Sequence, residues 1–265
     1  MSAERSARPV ALVTGSASGI GAACARRLAA GGFNVTVNYA SSAAAAAETA
    51  DACRGGGAET LEVQGDVADP AACRDLVAAT VDAWGRLDVL VNNAGVTRFV
   101  DTHDLGGLGA DDFARIFAVN VAGAYEMTAA AEPHLKASPY ASVVNITSHA
   151  GVSGIGSSHA YAASKGALNT LTLGLARALA PEIRVNAVCP GYVDTSWHAA
   201  KLEDPGELEA YTQRFAEIAP LKRLTTADDV AEAVSFFATG ARAITGVVLV
   251  IDGGTHLTVG SPQNT

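Results

Sequence analysis

Apolar positions along the chain come in two alternating textures. Short runs of β-branched and aliphatic residues, at 10–14, 33–39, 61–65, 87–91, 142–147, 184–188 and 247–251, read as buried strands. Between them lie longer Ala- and Leu-rich segments whose apolar residues recur at helical spacing, at 20–30, 42–53, 70–84, 111–135, 159–179 and 226–239. Pro70 stands where a first helical turn tolerates proline, and the alanine run at 43–47 is a strong helix former rather than a disordered tract. Strands alternating with helices of this length predict βαβ units and an α/β fold. The expectation is a Rossmann-type, doubly wound sheet of seven parallel strands with helices on both faces. No linker, repeat or low-complexity stretch divides the chain, so 1–265 is expected to be a single domain. Its one long strand-free stretch, richer in charge, is read as a helical substrate flap around 192–224.

Composition narrows the classes of function. With 49% hydrophobic and 17% charged residues in 265, the chain has material for a full core and is not disordered. The net charge of −9, with no cluster of Lys or Arg, argues against nucleic acid and anionic membranes as partners. Cys24, Cys53, Cys73 and Cys189 form no C-x-x-C pair, and the six histidines show no ligand spacing, so free thiols and no metal are expected. The polar N-terminus lacks a signal-type apolar run, and no window approaches the roughly 18 apolar residues of a spanning helix. A cytoplasmic protein is expected.

Candidate chemistry begins at the first strand-to-helix turn, Thr14-Gly15-Ser16-Ala17-Ser18-Gly19-Ile20-Gly21. Glycines there permit a tight turn and let backbone N–H groups approach a pyrophosphate at a helix N-terminus. At the end of the second strand, Tyr39-Ala40-Ser41-Ser42 offers hydroxyl and N–H donors, and the next carboxylate is Glu48. An acidic residue at that place would repel a 2′-phosphate, so NADP(H) is favoured over NAD(H). Ser41 as a plain helix cap is the alternative. Tyr161 and Lys165 are spaced to share one helix face, and Ser148 follows the fifth strand thirteen residues before Tyr161. A phenol titrates near 10, and a neighbouring ammonium favours the phenolate, bringing it toward a useful range for proton transfer. The Ser148 hydroxyl would bond a substrate oxygen as charge develops on it. A tyrosine serving only as an amphipathic core residue is the alternative.

With these motifs in order, the chain resembles the short-chain dehydrogenase/reductases of the compact single-domain type, and is similar to their 3-oxoacyl-carrier-protein reductase-like members. The resemblance is collinear over 8–254. Thr14–Gly21 matches the family's T-G-x-x-x-G-x-G and Asp66 its acidic adenine-contacting residue, with Val67 following. Asn92-Asn93-Ala94-Gly95 matches its N-N-A-G, Pro190-Gly191 its nicotinamide-contacting turn with Val193 and Thr195 nearby, and Asp252-Gly253-Gly254 its closing D-G-G. Its active-site Asn, Ser, Tyr and Lys fall on Asn120, Ser148, Tyr161 and Lys165.

The resemblance implies hydride transfer between a nicotinamide cofactor and a carbonyl or secondary alcohol. Tyr161 would be acid or base, Lys165 would lower the Tyr161 pKa and hold the nicotinamide ribose, Ser148 would hold the substrate oxygen, and Asn120 would position a relay water. It also implies a homotetramer. Thr97, Arg98, Phe99, residues 149–156 and the flap, with Trp197 and His198, would line a pocket for a small carbonyl or alcohol substrate. Carrier-protein reductases tend to carry an Arg twenty-one residues after the Tyr, where this chain has Glu182, which weakens an acyl-carrier substrate. The enoyl-reductase branch spaces its Tyr and Lys more widely. A non-catalytic dinucleotide sensor or scaffold is the alternative function, disfavoured because all four catalytic positions hold the expected residue types.

Overall fold

The chain, seen in a computed structural model, is described over residues 6–193, 195 and 205–258. Seven strands form one sheet: β1 (Val10–Val13), β2 (Asn34–Tyr39), β3 (Thr60–Gln64), β4 (Val89–Asn92), β5 (Ser142–Ile146), β6 (Arg184–Pro190) and β7 (Val248–Ile251). Every residue of β1, β4 and β5 is buried, as expected of strands covered on both faces. The order is β3-β2-β1-β4-β5-β6-β7, and every neighbouring pair is parallel.

Alternation along each strand divides the core into two layers. Ala11 and Val13 face one layer with Leu28 of α1 (Gly19–Ala30), Ala46 and Ala50 of α2 (Ala43–Gly55), and Val234 and Phe237 near the end of the chain. Val10 and Leu12 face the other, with Leu76 of α3 (Pro70–Trp84) and Met127 and Leu135 from the helices after β4. The chain runs outward from β1 through β2 to β3, then crosses back to lay β4 on the other side of β1, so the strand order reverses there. A crevice opens at such a switch point, outside the carboxyl ends of the strands.

The segment expected as one helix over 111–135 is three pieces: α4 (Ala110–Phe117), a π-helical turn (Ala118–Gly123) and α5 (Ala124–Lys136). Hydrophobic spacing hardly registers the wider turn, because apolar positions stay on the same side through it. Gly123 ends it pressed against Val67, where a Cβ would lie 2.8 Å from the Val67 carbonyl oxygen. After β5 come a short α6 (Ala150–Ser153) and α7 (His159–Leu179). Within the region read as a flap lies α8 (Pro205–Ile218). α9 (Ala227–Thr239) follows, opened by a capping box between Thr226 and Asp229. Trp197 and His198 lie outside the described residues. Among the described residues, no helix is long and apolar enough to cross a membrane.

Candidate active site

The glycine-rich turn between β1 and α1 is shaped by contacts that exclude side chains. Gly15 has φ +60°, and a Cβ there would lie 2.9 Å from Ala94 Cα; at Gly21 it would lie 2.4 Å from the Gly15 carbonyl oxygen. Asn93 pins the turn by donating from Nδ2 to the carbonyls of Thr14 (2.9 Å) and Gly15 (3.0 Å), while Thr14 Oγ1 accepts the N–H groups of Asn93 and Ala94. Ser18, the N-cap of α1, makes no side-chain cap bond, so first-turn N–H groups are left for another acceptor. Ile20, next in the turn, packs on the core below. Across the crevice Thr195 approaches, its Cγ2 3.6 Å from where a Gly19 Cβ would stand. Gly191 donates to the Ile251 carbonyl and has no room for a Cβ beside Asp252, and Val193 bridges to Thr225. A glycine turn free of side chains on an uncapped helix N-terminus suits a pyrophosphate, so these residues fit a dinucleotide.

Asn38, buried in β2, is a residue the sequence reading missed. Its Oδ1 accepts the Gly15 N–H at 3.0 Å and its Nδ2 donates to the Gly65 carbonyl at 3.0 Å, tying the turn to β2 and to the end of β3. The available signal was an asparagine inside an otherwise β-branched run. Beyond it, Tyr39 is half-buried and Ala40, Ser41 and Ser42 are exposed. The N-cap of α2 is Ser42, not Ser41, and it makes no side-chain cap bond. Asp66 accepts the Ala68 N–H and pairs with Arg115 at 3.0 Å, which together hold its carboxyl below the usual range. Arg115 gave no signal in the sequence.

Ser148, Tyr161 and Lys165 converge beside this crevice. Ser148 leaves the end of β5, where its hydroxyl accepts the Ala150 N–H at 3.2 Å and hydrogen-bonds the Tyr161 side chain. Tyr161 and Lys165 share one face of α7, whose N-cap Ser158 accepts the Tyr161 N–H. The Lys165 ammonium lies 5.7 Å from the Tyr161 ring centroid and donates to the Ile146 carbonyl at 2.8 Å.

Electrostatics here differ from the sequence expectation. Burial pushes the phenol up to about 12, and the Ser148 hydrogen bond opposes it only in part. Burial also pushes Lys165 down to about 8. The ammonium spends its strongest contact on a carbonyl, so desolvation and not the cation dominates at Tyr161.

Asn120 sits in the π-helical turn, buried, and its amide is consumed by protein partners: Nδ2 donates to the Val96 carbonyl and to Ser164 Oγ, both at 3.0 Å. A Cβ on Gly95 would lie 3.4 Å from Asn120 Oδ1 and 3.6 Å from Lys165 Nζ. Over the site, the loops after β4 and β5 are joined by Thr97 Oγ1 and Ser157 Oγ at 2.6 Å and by the Val100 N–H on the Ser157 carbonyl. Arg98, expected in the pocket, is paired with Asp112 at 2.6 Å. Asp252 is a buried hub, accepting the N–H groups of Gly254 and His256 and the His256 ring, with His149 Nε2 at 3.9 Å.

A seven-stranded doubly wound sheet with a half-buried Tyr and a buried Lys on one helix face beside its crevice defines a dinucleotide-dependent oxidoreductase. Known proteins agree. The family model described as Enoyl-(Acyl carrier protein) reductase matches residues 15–256. The provisionally assigned ketoacyl reductase 2 of the granaticin polyketide synthase from Streptomyces violaceoruber is 43% identical over 249 residues, spanning 94% of this chain and 96% of its own. A crystal structure from Burkholderia xenovorans, provisionally ascribed to the short-chain dehydrogenase/reductases, is 44% identical with TM-score 0.88, covering 96% of this chain and all of that one. A short-chain dehydrogenase from Burkholderia cenocepacia J2315, solved in complex with NADP, gives 0.83 at 37% identity, covering 94% and 98%. The chain belongs to the short-chain dehydrogenase/reductases, oxidoreductases acting on CH–OH and C=O groups.

Proposed function

We propose that the protein reduces a small-molecule ketone to a secondary alcohol with NADPH, the same groups serving oxidation in reverse. The observation that carries this reading is the Ser148–Tyr161–Lys165 cluster at the carboxyl end of the sheet, with Lys165 buried and Ser148 and Tyr161 half-buried, beside a crevice that suits a dinucleotide. When bound, the cofactor supplies or accepts the hydride.

The protein's part is protons and placement. Ser148 Oγ holds the carbonyl oxygen and Tyr161 Oη gives it a proton. A phenol near 12 is a reluctant acid, so Lys165 must be charged; with its own value near 8 it is, at neutral pH. Its Nζ then favours the phenolate left behind. Asn120 holds the segment after β4 against α7. Spacing of four between Tyr161 and Lys165 supports a ketone rather than an enoyl substrate.

Cofactor contacts are assigned to Gly15, Ser18, Gly19, Ile20, Gly21, Asp66, Val67, Asn93, Ala94, Gly95, Tyr161, Lys165, Pro190, Gly191, Val193 and Thr195. The preference for NADP(H) is assigned to the exposed Tyr39–Ser42 turn, whose hydroxyls and N–H groups carry no negative charge. The NADP-bound relative supports it. The chain is proposed to work in the cytoplasm as one domain with the flap at 192–224 over the substrate. It is proposed to assemble as a homotetramer through the edge strand β7 and the exposed apolar Leu173, Phe236 and Val247.

Tyr161→Phe tests the assignment. Loss of NADPH-dependent ketone reduction by about a thousandfold, with cofactor binding retained, is the expected outcome; unchanged turnover would overturn it.

A further inference from the structure

One buried side chain joins Asn120 to the turn that carries Tyr161. Ser164 lies three residues after Tyr161 and one before Lys165, and it has no solvent exposure. Its hydroxyl donates to the Tyr161 main-chain carbonyl at 2.7 Å and accepts from Asn120 Nδ2 at 3.0 Å. The other Nδ2 hydrogen goes to the Val96 carbonyl at 3.0 Å, and Asn120 Oδ1 accepts the Val96 N–H at 2.8 Å. An unbroken chain of bonds therefore runs from Val96 through Asn120 and Ser164 to Tyr161. It couples the segment after β4, the π-helical turn and α7.

We propose that Ser164 is a positioning residue, setting the height of the Tyr161 turn against the Gly95–Val96 segment and hence where the phenol meets a substrate oxygen. The proposal rests on the ketone-reduction reading above. Its donor bond is redundant, because a helical carbonyl at 161 already has the N–H of residue 165 as partner. Its acceptor role is not redundant. Without the hydroxyl a buried Asn120 N–H has nothing to bond, and a fully satisfied network has only one arrangement to lose. Gly95 makes the site sensitive to that loss, because Asn120 Oδ1 and Lys165 Nζ both lie close to where its Cβ would stand.

The test compares Ser164→Ala and Ser164→Cys with the wild type and Tyr161→Phe. In Ser164→Ala, kcat is expected to fall about ten- to hundredfold from misplacement alone, with KM and NADPH affinity within about twofold. The pH limb of kcat that Tyr161→Phe abolishes should shift. Independently of turnover, the 13Cζ resonance of Tyr161, identified by its absence in Tyr161→Phe, should move in the cofactor-free Ser164→Ala protein. Ser164→Cys, of similar size with a weak acceptor, should recover part of each change. Activity within twofold of wild type, or a loss with both the pH profile and the resonance unmoved, would overturn the proposal. A resonance that moves in a protein reducing no ketone would sink the reduction reading and leave the positioning link standing.

Discussion

Lys165 is a cation held where water scarcely reaches it, and that has a measurable cost. It titrates near 8 in the folded protein and near 10.4 when unfolded, so between those values the unfolded chain binds more protons. Stability contributed at this site therefore rises as pH climbs from 8 toward 10, by at most about 3 kcal/mol. Tyr161, raised by burial, acts in the opposite sense only above pH 10. Denaturation midpoints of wild type and Lys165→Met are expected to diverge over pH 8–10, with wild type gaining; parallel curves would contradict the burial argument. Ser41 carries the other test at this scale. A carboxylate introduced by Ser41→Asp should weaken NADPH at least about tenfold through repulsion of the 2′-phosphate, leaving NADH nearly untouched in fluorescence titrations.

Some residues were legible in the sequence and others were not, for a physical reason. Tyr161 and Lys165 stand out because tyrosine and lysine are scarce in this chain and one pair falls four residues apart, and Ser148 stands out by following a strand shortly before them. Arg115 and Ser164 act through partners on distant segments, so nothing within a short window marks them, and Asn38 is marked by no more than a polar residue within a strand.

At the scale of elements, the glycine turn is governed by backbone approach rather than flexibility. A methyl at Gly21 would lie 2.5 Å from Asn93 Nδ2 as well as against the Gly15 carbonyl. Gly21→Ala is expected to cost about 1–3 kcal/mol from overpacking, measured by urea midpoint, and to abolish NADPH binding because the turn must open. Retained binding would show that the turn is not the cofactor's seat. The π-helical turn makes the complementary point. Apolar spacing over 111–135 reads as uninterrupted helix, since the added width changes hydrogen bonding without moving the core-facing side chains. The residue it presents, Asn120, was recognisable only through the family resemblance. β6 likewise runs on to Pro190, where pairing with Ile251 extends a strand that the sequence pattern ends at Val188.

For the whole molecule, strand and helix alternation was enough to predict a parallel, doubly wound sheet, because right-handed crossovers leave few other ways to bury such strands. How copies meet was not legible, since an edge strand and a core strand share the same apolar composition. Among the described residues β7 has a neighbour on one side only, and Phe236 and Val247 are 50% and 38% exposed. Light scattering is expected to give about four times the 26.8 kDa of the chain. Phe236→Glu should lower that mass; a monomeric wild type would refute the assembly.

Hydride transfer to a carbonyl can be followed directly with an isotope. NADPH carrying deuterium at both C4 positions would be incubated with the protein and a panel of ketones, sugars and 3-oxoacyl thioesters, and the products weighed by mass spectrometry. An alcohol bearing one deuterium on the former carbonyl carbon is expected, formed by wild type and not by Tyr161→Phe. An alcohol without deuterium, or deuterated product formed equally by the variant, would contradict that expectation.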